Sequence, residues 1–259
     1  MDFFGTDGIR DRAGQGRLSP ENVVRVGRAL GRLAVEFARD RHPARVAIGR
    51  DPRPSGEGLV RRLTQALNTE GVDVVDLGVV PTPAVAWTVA DGDYHLGIAV
   101  SASHNPPEDN GIKPFAPGGR KLLRAEEERL EAWMGEVEGP LEEHADTRTV
   151  DGAARYAAST ASWLAKDGRL DGVRLVIDLS AGAASTTAPA VLRASSAREP
   201  AYAPLCPFVS VADTTRLKGT PDVCAPTGST VNPTMSSSAT SPDAWLPAKP
   251  AASAVTCTV

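Results

Sequence analysis

The chain has 259 residues, is 41% hydrophobic and 23% charged, and carries 28 basic against 32 acidic side chains for a formal net charge of -4. Such values belong to a globular chain and exclude collagen-like, coiled-coil and wholly disordered classes, and so small a charge imbalance excludes the broad basic surface of a general nucleic-acid or membrane-surface binder. The N-terminus, Met1 to Arg12, has no apolar leader core, and no apolar run reaches about 18 residues, so the expectation is a cytoplasmic protein with no nucleic-acid and no membrane partner. Cys206, Cys224 and Cys257 are odd in number and lack CxxC spacing, which supports neither a disulfide framework nor a zinc site.

In chain order, Ser19-Pro20-Glu21 supplies a capping hydroxyl, a first-turn proline and an acid, and opens a helix over about 20–41 with Val23, Val26, Leu30, Leu33, Val35 and Phe37 at helical spacing. Ala44 to Gly49 is a short apolar run closed by Arg50-Asp51-Pro52, the pattern of a buried parallel strand ending in a polar loop. Ser55 caps a second helix to about Glu70. Val72 to Leu77 reads as a strand, Pro81 to Val89 as a short helix, and Tyr94 to Val100 as a strand running into Ser101-Ala102-Ser103-His104-Asn105-Pro106. After a Gly/Pro-rich stretch, Glu126 to Glu138 forms an acidic helix. Alternating strands and helices with short connections predict a mixed, mostly parallel sheet sandwiched between helices, with ligands outside the strands' carboxyl ends. The Arg50-Asp51 loop and the loop from Ser101 to Lys113 share that edge.

A second α/β unit begins after the acidic linker Glu136 to Asp151, with a helix over Ala154 to Lys166, a strand over Val173 to Asp178 and a helix over Ala183 to Ala194. One strand and two helices bury too little apolar surface to close a core, so over 152–194 this domain is incomplete. Residues 1 to 194 hold 52 of the 60 charged side chains; residues 195–259 hold eight, with nine Pro, nine Ser, nine Thr and eleven Ala and no sustained period. An irregular C-terminal tail is expected there, either translated out of an ancestral frame or disordered.

The segment most informative about chemistry is Val100 to Lys113, VSASHNPPEDNGIK. A serine closing a buried strand and followed by His-Asn-Pro is a candidate nucleophile or phosphate carrier, and Lys113, beyond Gly111, a candidate proton-transfer group or phosphate clamp. No GxSxG elbow is present. On composition alone the segment reads as a hydrophilic turn, Arg10 as an exposed arginine beside a glycine-bearing turn, and Arg50 with Asp51 as a strand-end ion pair rather than direct participants in catalysis.

This segment resembles the phosphoserine loop of the alpha-D-phosphohexomutase family. Phe4-Gly5-Thr6-Asp7-Gly8-Ile9-Arg10 is similar to that family's N-terminal signature, and Gly49 to Glu57 with Leu77 to Ala86 look like its phosphoglucosamine mutase branch. The resemblance covers residues 3 to about 135. It makes residues 1–140 the family's first domain and implies catalytic roles for Ser103, as the phosphoserine, and for His104, Lys113 and Arg10. The implied reaction interconverts glucosamine 6-phosphate and glucosamine 1-phosphate through a bisphosphate, an early step toward UDP-N-acetylglucosamine. The implied cofactor is Mg²⁺, held through phosphorylated Ser103, and the partner a hexosamine phosphate. A homodimer is allowed for.

The resemblance also has gaps. The family's three metal-binding aspartates of a DGDGDR-type loop are absent, as are its sugar-selecting and C-terminal phosphate-binding loops. Asp178 belongs to a structural strand-and-turn motif in which the family usually carries Asn-Gly where Ser180-Ala181-Gly182 stands, and Asp213, Asp222 and Asp243 are scattered single acids. These 259 residues alone are therefore expected to turn over sugar phosphates negligibly, with a phosphomannomutase/phosphoglucomutase or a non-catalytic phosphate-binding remnant as alternatives.

Overall fold

A computed structural model describes residues 3–5, 8–137, 141, 147–167, 175–194, 208–211 and 255–258. Its first strand, β1 (Ile9–Arg12), lies where the sequence suggested only a turn. Helix α1 (Pro20–Ala38) starts as expected, the Ser19 hydroxyl accepting the Asn22 N–H at 3.3 Å with Pro20 in the first turn. It ends three residues earlier than expected, where Arg39 adopts φ 53° and its N–H returns to the Val35 and Glu36 carbonyls.

Strand β2 (Ala44–Arg50), helix α2 (Gly56–Thr69), strand β3 (Val72–Val79), helix α3 (Thr82–Asp91) and strand β4 (Leu96–Val100) follow the predicted alternation. Ser55 precedes α2 but makes no capping bond; its hydroxyl accepts from the buried Asn110 side chain at 2.8 Å. The Gly/Pro-rich stretch is not a loop. It contains strand β5 (Asp109–Ala116) and the two-residue strand β6 (Arg120–Lys121), after which helix α4 (Arg124–Glu136) begins.

The first sheet runs β1-β5-β4-β2-β3-β7 with β6 paired to β5, where β7 is Thr147–Thr149, inside the segment expected to be a linker. Pairings among β4, β2, β3 and β7 are parallel, and those of β5 with β1, β4 and β6 antiparallel. The sheet is thus mixed, as expected, with more antiparallel pairing than the sequence implied because β5 went unseen.

Strand alternation sorts the core into two layers. Val46, Ile48, Val72, Val74 and Ile98 share one apolar cluster with Val23, Leu30, Leu33, Leu63, Leu67 and Leu130 of α1, α2 and α4. Ala47, Val75, Leu77 and Ala99 face the other way, onto Val85 and Val89 of α3, with Ala153 and Tyr156 of helix α5 (Gly152–Asp167) packed against them. Every β4 residue is buried, as a central strand covered on both faces must be.

Strand β8 (Leu175–Asp178) centres a separate three-stranded sheet, antiparallel to β9 (Phe208–Val211) and parallel to β10 (Val255–Thr258), and is followed by a short 3-10 turn and helix α6 (Ala188–Ala194). Two strands thus arise in the stretch expected to be irregular. The remainder of that expectation, with the three cysteines' neighbourhoods and Asp213, Asp222 and Asp243, lies largely outside the described residues. Among the described residues no helix is long and apolar enough to cross a membrane.

Candidate active site

Because β2 and β4 are parallel neighbours with Arg50 opposite Val100, the chain leaves both strands on the same sheet edge. The Asp51 N–H donates to the Val100 carbonyl at 3.0 Å, so the loop after β2 lies against the loop after β4. Strand β5 starts beside this edge and runs back along β4, the Ser101 N–H donating to the Gly111 carbonyl at 3.0 Å. Glycine is required at 111 by packing: a Cβ there would lie 2.6 Å from the Ser101 carbonyl oxygen and 3.0 Å from that of Ile9.

Ala102 is buried and anchors the turn, while Ser103 and His104 are exposed beyond it. Ser103 adopts φ 59°, the left-handed region that side-chain-bearing residues enter only when surroundings impose it. Its hydroxyl lies 3.4 Å from His104 Nδ1. Its N–H donates to Ser101 Oγ at 3.0 Å, and Ser101 in turn donates to Asp51 Oδ2 at 2.7 Å.

Arg10, opposite Gly111 on β1, reaches the same loop, with Nη1 3.5 Å from Asn105 Oδ1. Ser103 and His104 thus share one loop, and the Arg10 side chain reaches it from β1. Lys113 stands on β5 opposite Ala99 and lines a cavity of about 450 Å³ with Phe4, Gly5, Gly8, Lys121, Arg124 and Glu127; Ser103 is not part of that lining. Burial pushes the Glu127 carboxyl above its ordinary range.

Three residues outside the catalytic set that the resemblance implies complete the loop. Asp51 pairs with Arg53 at 3.0 Å, correcting the alternative that paired it with Arg50. Arg53 also donates to backbone carbonyls across the Ser103 loop. Asn110, wholly buried, ties β5 to Ser55. Two arginines around Asp-Pro at a strand end were the available signal for Arg53, but nothing local tells which of them turns inward.

The carboxylates near Ser103 do not fit the Mg²⁺ that the resemblance implies. Asp51 receives Arg53 and Ser101, Asp109 Oδ2 receives the Asn105 amide at 3.0 Å, and among the described residues no three His, Cys, Asp or Glu side chains converge. A hard cation needs a near-octahedral oxygen shell supplied by converging carboxylates, and no such convergence stands around Ser103 among the described residues.

Residues 1–140 match the family model described as phosphoglucomutase/phosphomannomutase, alpha/beta/alpha domain I. A phosphoglucosamine mutase of Mycolicibacterium paratuberculosis is 45% identical over 203 residues, covering 76% of this chain and 44% of that protein. One of Corynebacterium jeikeium is 43% identical over 207 residues, covering 75% and 44%. Among solved structures, a phosphoglucomutase/phosphomannomutase family protein of Burkholderia thailandensis superposes with a TM-score of 0.60 at 28% identity, over 74% of this chain and 42% of that one. The chain spans less than half the length of the curated relatives it matches.

Proposed function

This chain belongs to the phosphoglucomutase/phosphomannomutase family, and from that membership we propose that Ser103 is the phosphoryl carrier of a phosphoglucosamine mutase, an isomerase of glucosamine 6-phosphate and glucosamine 1-phosphate acting in the cytoplasm toward UDP-N-acetylglucosamine. The observation that carries the proposal is the presentation of Ser103: an exposed hydroxyl at a strand-end turn, in a left-handed backbone, 3.4 Å from an imidazole nitrogen. The choice of a hexosamine rests on the relatives named phosphoglucosamine mutase.

In the first half-reaction the bond between phosphorus and Ser103 Oγ breaks while a bond forms from phosphorus to a free hydroxyl oxygen of the bound sugar monophosphate. The hydroxyl proton leaves to a base, and Oγ recovers a proton. His104, with Nδ1 3.4 Å from Oγ, returns that proton; Lys113 takes the sugar's. The bisphosphate then turns over, and its other phosphoryl group passes to Ser103 by the reverse bond changes. Phosphoryl transfer depends mainly on positioning and charge neutralisation, and Arg10 supplies positive charge from this chain, Lys113 becoming cationic as it takes the sugar's proton. No step is assigned to Mg²⁺.

Incubating the chain with glucosamine 1,6-bisphosphate tests the proposal. Release of glucosamine monophosphate with one phosphoryl group retained per protein is expected. No transfer would overturn the carrier role.

A further inference from the structure

We propose that Arg53 is a positioning residue for this chemistry, a guanidinium that holds the Ser103 loop by its backbone and takes no part in binding the phosphoryl group. The inference rests on the carrier role proposed for Ser103 and deepens it.

A guanidinium has five N–H donors and no acceptor, and all five are committed here. Nε donates to Asp51 Oδ2 at 3.0 Å. Nη1 donates to the Pro106 carbonyl and, at 3.0 Å, to that of Asp109. Nη2 donates to the Ser103 carbonyl at 2.8 Å and the Asn105 carbonyl at 2.9 Å. The side chain is only 12% exposed, so these bonds are sheltered from competing water. Surface-loop carbonyls ordinarily turn to solvent; here four of them, spread over residues 103–109, converge on one cation.

The same pair grips both sides of Ser103. Its carbonyl is held by Arg53 directly, and its N–H is held through Ser101, whose hydroxyl donates to the Asp51 carboxylate that anchors Arg53. The unfavourable φ of 59° is thereby imposed from the N–H and the carbonyl at once. A lysine could not replace this arrangement: an ammonium has three donors and no planar fork to span four carbonyls. With no donor left over, Arg53 makes no hydrogen bond to the phosphoryl group. Its loss should slow transfer at saturating donor without changing the donor concentration needed for half-saturation.

The test compares the unchanged chain with Arg53→Lys by amide hydrogen exchange and by phosphoryl uptake from glucosamine 1,6-bisphosphate. Exchange over residues 102–109 is expected to rise about tenfold or more, as for the loss of at least one charge-assisted bond, with residues 96–100 unaltered. The saturating transfer rate is expected to fall by on the order of 10²-fold, the effect of misplacing a reacting atom by about 1 Å. In Arg53→Ala, added guanidinium should restore part of the rate where ammonium does not. Unchanged exchange and rate in Arg53→Lys would overturn the inference, as would a loss appearing only as weaker donor binding. If the lysine variant does not fold, Ser101→Ala, which cuts the N–H tie alone, must raise exchange at the 103 amide or the inference fails. Should the unchanged chain accept no phosphoryl group, the carrier role falls, while the exchange comparison still decides whether Arg53 holds the loop.

Discussion

Ser180 and Ala181 follow β8 with φ values of 47° and 50°, so two consecutive residues with a Cβ occupy the left-handed region. For alanine this conformation is disfavoured by about 1–2 kcal/mol, and glycine relieves it. Ala181→Gly is accordingly expected to stabilise the fold by about 1 kcal/mol in denaturant unfolding, less what glycine adds to the unfolded chain's entropy; a loss of stability would show that this turn is not strained. The positions were legible as a place where the resembling family carries Asn-Gly, and the backbone gives the physical reason. Arg53 was not legible. Its role is defined by carbonyls some fifty residues away, and one sequence contains no record of which backbone groups a guanidinium will meet. Ser55 shows the converse: a local capping signal was present, but a buried Asn110 outcompeted the helix for the hydroxyl.

Among elements, β2 and β4 could be read because strands buried on both faces are largely apolar runs, and β3 because its valines and Leu77 dominate two aspartates. Strands β1 and β5 could not, since IRDR and DNGIKPFA carry charge, glycine and proline, and only their mutual pairing, with Arg10 against Gly111, makes them strands. The entry to β4 carries its own pH dependence. His95 is 2% exposed, its N–H donates to the Arg45 carbonyl at 2.8 Å and its Nδ1 accepts the Arg45 N–H at 3.0 Å, so the ring is held neutral against β2. Burial foremost, and then the charge of Arg41, lower its pKa from the ordinary 6.5. The unfolded chain therefore takes up a proton below about pH 6.5 that the folded chain refuses, and stability falls as pH drops through that window, by up to about 1.4 kcal/mol per pH unit for one proton. His95→Asn keeps an acceptor near the Arg45 N–H and cannot be protonated. Chemical unfolding between pH 7 and 5.5 should show a shallower acid-side loss in that variant; equal slopes would remove His95 as the cause.

At the scale of the whole molecule, one sheet with α1, α2 and α4 on one face and α3 and α5 on the other supports the candidate site at a single edge. The segment following α4 is more closely joined to this body than the sequence suggested: β7 extends the sheet beside β3, Tyr156 meets Trp87 edge-on with ring centroids 5.9 Å apart, and the Thr186 hydroxyl donates to the Val79 carbonyl at 3.1 Å. These joins depend on small or aromatic side chains whose partners lie far off in sequence, which composition and period do not encode. All of this frame serves to hold one hydroxyl at the edge, and the most direct measurement is phosphopeptide mass spectrometry on the chain after incubation with glucosamine 1,6-bisphosphate, beside Ser103→Ala. Phosphate on Ser103 alone, absent from the alanine variant, is the expected result. Phosphate on another residue, or equal uptake by Ser103→Ala, would contradict the account.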